Sequence, residues 1–204
     1  MIIRELRKTS SERFMLLFDD DSELQTTLKV VTDQYLFSGK ELSDEEYIEL
    51  CNESRYSLCE ARAMKLLSYQ PLSKKKLVDK LIQKGEDDSD AERAALWLEQ
   101  MGMINDKNYS EMVVRHYAAK GYGVRRIQNE LFRHGVPRDL WDDAIELIPD
   151  QEDKIDSFIR ARLSDPSDRK QIKKVTDGLV RRGFSWSEIK SALERYRDSY
   201  EDEE

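Results

Sequence analysis

The sequence predicts a mainly α fold, modular and extended, built of tandem three-helix repeats behind a short N-terminal β-hairpin. Three observations carry this. The 204 residues are 37% charged and 39% hydrophobic with only eight glycines and four prolines, too charged for a membrane protein and too poor in chain breakers for a disordered one. Helix-start signals recur from residue 43 onward. One segment also repeats itself down the chain, which marks an array of supersecondary units.

At the N-terminus, the runs 2–8 and 13–19 flank Thr9-Ser10-Ser11-Glu12 and read as the two strands of the hairpin. Asp19-Asp20-Asp21-Ser22-Glu23 lacks the glycine and the twelfth-position Glu of a calcium loop, so a solvated turn is expected. Capping boxes at Ser43/Glu46, Ser57/Glu60, Ser89/Glu92 and Ser185/Glu188 predict four helix starts, and Ser73 predicts another. Glycines 85, 102, 121, 135 and 183 stand where helices should stop.

Val124-Arg125-Arg126-Ile127-x-x-x-Leu131-x-x-x-Gly135 returns as Ile172-Lys173-Lys174-Val175-x-x-x-Leu179-x-x-x-Gly183 at an offset of 48. Trp141, Ala144 and Ile145 continue the match as Ile189, Ala192 and Leu193, and a weaker copy begins at Lys75-Lys76-Leu77. Ile127 and Leu131 lie four apart, on one helix face toward a core, while Arg125 and Arg126 are expected to point away. In the middle unit Pro137 is expected to open the next helix, with Trp141, Ala144 and Ile145 as its buried stripe. The expected organisation is 1–58, hairpin plus helical region; 59–104, 105–149 and 150–200, repeats one to three; and 201–204, an acidic tail.

The net charge of −8 is uneven: residues 1–58 carry −6, 59–149 carry 0, and 150–200 carry +2. Local basic faces therefore survive in an acidic chain. Lys75/Lys76, Arg125/Arg126 and Lys173/Lys174 recur at one helical position, where stacking would align them as a basic track. Either solvation or a binding surface accounts for such pairs; cations at a helix start oppose the helix dipole, and three recurrences favour the surface.

Other chemistry is poorly supported. Cys51 and Cys59 are expected to be reduced core thiols, with no zinc partner. His116 and His134 lack a nucleophile at a suggestive spacing and are read as structural. Asn105-Asp106 reads as a helix cap, and Gly121-x-Gly123 follows a helix, not the strand a phosphate-cradling loop requires. No enzyme activity, cofactor or metal is expected, and the chain itself is not expected to bind or hydrolyse ATP. No run approaches the ~18 to 20 apolar residues of a membrane span, and Met1-Ile2-Ile3-Arg4 opens no signal peptide, so a cytoplasmic location is expected.

Gly102-Met103-Ile104-Asn105-Asp106-x-x-Tyr109 and Lys120-Gly121-Tyr122-Gly123-Val124-Arg125-Arg126-Ile127-x-x-Glu130-Leu131-x-x-x-Gly135-Val136 resemble the RecX family, bacterial regulators of the RecA recombinase. Leu179-Val180-Arg181-Arg182-Gly183-Phe184-Ser185 resembles the family's closing motif, and the resemblance runs from about residue 59 to 196. Ser110 departs from the family's usual alanine. The resemblance implies an elongated, curved array that lodges in the groove of a RecA filament on single-stranded DNA. There it would suppress ATP hydrolysis, strand exchange and SOS co-protease activity, as a monomer without a membrane partner.

Carried onto this chain, the candidate contacts are Lys75, Lys76, Lys120, Arg125, Arg126, Arg133, Lys173, Lys174, Arg181 and Arg182, meeting acidic RecA surface, DNA phosphate, or both. Tyr117 is expected in the core, whereas Tyr122, between two glycines, is expected to be free to stack on a base. Two alternatives remain: a stand-alone helical DNA-binding protein and a helical protein-interaction scaffold. The acid total and the want of a recognition helix rich in Asn, Gln and Arg weigh against the first.

Overall fold

The computed structural model describes residues 1–201, so 202–204 of the expected acidic tail lie outside the described residues. The chain divides into two compact units, Met1–Ile104 and Asn105–Glu204.

The first unit opens with three antiparallel strands in the order β1 (Ile3–Lys8), β2 (Arg13–Phe18) and β3 (Glu23–Thr27). The expected hairpin is therefore the first two strands of a three-stranded sheet. The third strand has no apolar run to mark it, because its buried residues are Thr26 and Thr27. Their hydroxyls are bonded to Ser54 (2.8 Å) and Ser57 (2.5 Å), and a partnered hydroxyl can be buried at little cost. Thr27 also caps the short helix α1 (Leu28–Asp33).

Helix α2 runs unbroken from Asp44 to Tyr69. The capping box at Ser43/Glu46 is present in both directions, with Glu46 N–H donating to Ser43 Oγ (3.1 Å) and Ser43 N–H to Glu46 Oε2 (2.7 Å). No helix starts at Ser57: its hydroxyl is taken by Thr27, and Glu60 pairs with Lys29 (3.1 Å) instead of reaching back. One helix thus serves two cores. Leu50 packs with Ile3, Leu16, Phe18, Val30 and Leu42 against the sheet, while Cys59 and Ala63 join the first repeat. Of the two thiols, Cys59 is buried and free; Cys51 is free but only half-buried, short of the core position expected for it.

The first repeat is completed by α3 (Lys74–Gln83), capped by Ser73 as expected, and α4 (Asp88–Gln100). The cap of α4 is Asp87, not Ser89: its carboxylate accepts from the backbone N–H of Ser89 (2.9 Å) and of Asp90 (3.4 Å). Five acidic or hydroxylic residues, Glu86 to Asp90, stand in a row here, and spacing alone does not choose among them. Leu77, Leu81, Ala94, Ala95 and Leu98 fill the core.

The second unit holds α5 (Asp106–Ala119), α6 (Val124–Arg133), α7 (Trp141–Ile145), α8 (Glu152–Arg160), α9 (Arg169–Arg182) and α10 (Trp186–Glu201). Asn105 caps α5 by accepting from Asn108 N–H (2.9 Å), and Ser185/Glu188 form the box that opens α10. Pro137 does not sit inside a helix; it precedes a single 3-10 turn (Arg138–Leu140) that leads into α7. Of the stripe expected on α7, Ala144 is buried, while Trp141 and Ile145 are half-buried.

The repeated apolar pairs behave alike. Leu77/Leu81, Ile127/Leu131 and Val175/Leu179 are all at most 1% exposed, and each such side chain contributes roughly 1.5 to 3 kcal/mol by leaving water. Gly85, Gly102, Gly121, Gly135 and Gly183 all carry the positive φ of a helix stop. One expectation about the repeat fails. Helices α3 and α6 place their basic pair at the second and third helical residues, but α9 starts three residues early on its own cap, Asp168, which moves Lys173 and Lys174 into the second turn. The dipole argument therefore applies to two of the pairs and not to the third.

Candidate functional site

Helix α6 begins at Gly123 with no side-chain cap. Its open amides are satisfied by the last carbonyls of α9: Gly123 N–H donates to Arg182 O (2.9 Å) and Arg125 N–H to Gly183 O (3.2 Å). The C-terminus of one helix thus meets the N-terminus of the other, which pairs both sets of orphan backbone groups and opposes their partial charges favourably. Such an approach requires glycine on both sides. A Cβ at Gly183 would lie 2.3 Å from Arg126 N, and one at Gly123 would lie 2.6 Å from the Gly183 carbonyl. Two side chains tie the joint from α8 and the residue before it: Gln151 Nε2 donates to Tyr122 O (3.2 Å) and Lys154 Nζ to Ala118 O (2.6 Å). Among the described residues, buried Arg126 Nε and Gln151 Oε1 have no hydrogen-bond partner, so this joint keeps unused bonding capacity.

Around the joint, cations are held over aromatic rings. The guanidinium carbons of Arg126 and Arg182 both lie 5.8 Å from the Tyr122 ring centre. Arg182 and Arg162 lie 4.9 and 4.0 Å from that of Phe158, and Lys120 Nζ lies 5.5 Å from that of Tyr117. Contacts of this kind fix the direction of a long cationic side chain without neutralising it. A cleft of about 460 Å³ opens beside them, lined by Lys120, Asp153, Lys154, Phe158, Arg162 and Arg182 among others. Among the described residues, Lys120, Arg125, Lys154, Arg162 and Arg182 have no carboxylate within 4.0 Å.

Of the residues singled out in the sequence, this joint gathers Lys120, Tyr122, Arg125, Arg126 and Arg182. Several differ from expectation. Arg126 does not point away; it folds down on Glu130 (2.8 Å), a carboxylate 4% exposed that Arg133 also approaches (3.4 Å). The basic pair at the start of α6 is thus one free cation and one used internally. Tyr122 is not free but half-buried, 5.9 Å from Tyr117 and beneath two guanidinium groups. Burial, and then the charge of Glu130, pushes the Tyr117 phenol above its ordinary pKa. His134 bonds Tyr109 Oη (2.8 Å), and His116 meets the Tyr117 ring edge-on.

Lys173, Lys174 and Arg181 are exposed on α9. Helical spacing sets Lys174 and Arg181, seven apart, on one stripe, and turns Lys173 about 100° away from it. Lys75 is exposed and Lys76 half-buried, in the first unit. Lys154, Phe158 and Arg162 join the candidate residues only in the structure, although their spacing of four places all three on one face of α8 and its C-terminal extension.

Fold and site together define a class: a tandem three-helix-repeat protein that presents uncompensated cations at the joint between two repeats. Family models described as the first, second and third three-helix domains of RecX match residues 59–96, 105–145 and 160–193. The regulatory protein RecX of Stenotrophomonas maltophilia (strain R551-3) is 32% identical over 134 residues, covering 64% of this chain and 82% of that protein. That of Caldanaerobacter subterraneus subsp. tengcongensis is 24% identical over 95% of this chain and 98% of its own. A crystal structure of regulatory protein RecX superimposes with a TM-score of 0.73 at 21% identity, covering 95% of this chain and 98% of that one. RecX from Lactobacillus salivarius does so with 0.62 at 26%, covering 69% and 96%. The chain belongs to the RecX family of regulatory proteins.

Proposed function

We propose that this chain acts by binding and not by catalysis, as a negative regulator of a RecA-type recombinase filament on single-stranded DNA. In this reading it lies in the filament groove, works in the cytoplasm as a monomer, and slows ATP hydrolysis, strand exchange and co-protease activity. The observation that carries the reading is a set of cations held in place and left without carboxylates at the α6/α9 joint of a chain whose net charge is −8. Such cations are available to a polyanion or to an acidic protein surface, and several weak contacts along an array add up to affinity without one dominant contact.

The test is ATP hydrolysis by the recombinase filament with and without this protein. Arg125→Glu combined with Lys173→Glu reverses two exposed, unpaired cations and should leave far-UV circular dichroism unchanged. Inhibition should weaken by roughly tenfold at low salt, with the difference shrinking as salt rises. Full inhibition by this variant would reject the assignment.

A further inference from the structure

The cleft beside the α6/α9 joint brings two cations that the family resemblance singles out, Lys120 and Arg182, together with two that it does not, Lys154 and Arg162. Four cations line it: Lys120 from the end of α5, Lys154 from α8, Arg162 just beyond α8, and Arg182 from the last turn of α9. One carboxylate, Asp153, lies in the same lining and has no cationic partner among the described residues, so the lining as a whole carries a clear positive excess. The two guanidinium groups share the Phe158 ring, at 4.0 and 4.9 Å, and the ring in turn rests on α9, where a Cβ at Gly178 would lie 3.0 Å from it. Lys154 is anchored by one of its N–H bonds to Ala118 O (2.6 Å), which leaves two donors unspent.

The size and the donors select the ligand. The two oxygens of a carboxylate lie in one plane, whereas a tetrahedral phosphate presents oxygens in several directions and is shared among converging Arg and Lys donors. A volume of about 460 Å³ also exceeds what a bare anion fills and has room for a sugar or base beside the phosphate. We propose that this cleft is a binding pocket for a phosphate ester, gripped by Lys120, Lys154, Arg162 and Arg182. The ester is supplied either by the backbone of a single-stranded nucleic acid or by a free nucleotide. The inference sharpens the regulatory reading by naming the group the joint grips, yet it is tested with no recombinase present.

The experiment follows fluorescence anisotropy of a labelled short oligothymidylate with the full chain. ATP, inorganic phosphate and polyglutamate serve as competitors. The oligothymidylate should bind, ATP should displace it, and polyglutamate at equal charge concentration should not. Lys120→Glu with Arg162→Glu should weaken binding by about tenfold, while Arg169→Glu with Lys170→Glu, the same charge change at the opposite end of α9, should cost less than about twofold. If the reversals disturb the fold, Lys120→Gln with Arg162→Gln carries the same test. Oligothymidylate binding far tighter than ATP identifies a strand as the source, and equal binding identifies a free nucleotide; both sustain the pocket. Displacement by polyglutamate as effective as by ATP, equal losses in the two double variants, or no binding of either probe would overturn it. A pocket variant that loses the oligothymidylate but still inhibits the recombinase ATPase would separate this inference from the filament reading.

Discussion

Glu130 shows what a single side chain does for the candidate surface. It is 4% exposed, yet its two cationic partners, Arg126 and Arg133, are 40% and 68% exposed in their side chains. Removing one member of a fully buried pair costs about 3 to 5 kcal/mol, but here both cations can turn to water. Glu130→Gln is therefore expected to lower stability by about 1 to 2 kcal/mol, read as a lower urea midpoint at unchanged slope. Gly183 and Gly85 offer a paired measurement, because both have a positive φ, +91° and +87°, but only Gly183 has backbone pressed against it. Gly85→Ala should cost about 1 kcal/mol for the left-handed conformation alone, and Gly183→Ala at least about 2 kcal/mol more through the clash with Arg126 N. Equal losses would mean that the joint tolerates separation. Both glycines were legible in the sequence as helix stops. That one of them is also a contact surface was not, because the residue it touches lies in the preceding repeat.

At the scale of elements, α1 to α5, α9 and α10 start on side chains that accept backbone N–H bonds, whereas α6, α7 and α8 have no side-chain cap. Asp87 is the cap of α4, and the hydroxyl and N–H of Ser89, with the N–H of Asp90, hold its carboxyl below the ordinary aspartate pKa. A depressed folded pKa stabilises the fold above the unfolded value and loses that contribution as pH falls through the folded one. Glu46 and Asp165 are lowered in the same way by Ser43 and Ser167. Stability is thus expected to fall below about pH 4. Asp87→Asn should flatten that fall in an acid-unfolding series, and at neutral pH Asp87→Ala should lower the urea midpoint more than Ser89→Ala. The reverse order would return the cap to Ser89. The same chemistry explains why one capping box was misplaced and another was spurious. A Ser followed three residues later by a Glu states what the pair can do, and neighbours such as Asp87 or Thr27 compete for the role.

For the molecule as a whole, the four hydrophobic cores divide cleanly: each draws its described residues from one unit, two from Met1–Ile104 and two from Asn105–Glu204. A fragment comprising residues 105–204 is therefore expected to fold, with helical far-UV circular dichroism and a cooperative thermal transition. A shallow, non-cooperative melt would show that its cores depend on the first unit. Among the described residues no helix is long and apolar enough to cross a membrane, as the scatter of charge along every repeat foretells.

Interactions that span one or two helical turns were readable from residue order: the repeat, its apolar pairs at a spacing of four, most of the caps and every glycine stop. Periodicity and backbone conformation suffice for these, since the partners are neighbours in the chain. The fates of polar side chains were settled by folding. Thr27 meets Ser57 thirty residues on, Lys154 reaches Ala118 across thirty-six, and Arg126 lies against the α9 terminus from the next repeat. Whether a hydroxyl caps a helix or fills a core, and whether an arginine is offered outward or spent on an internal carboxylate, depends on which distant segment arrives beside it. Packing supplies that neighbour, and no local pattern encodes it.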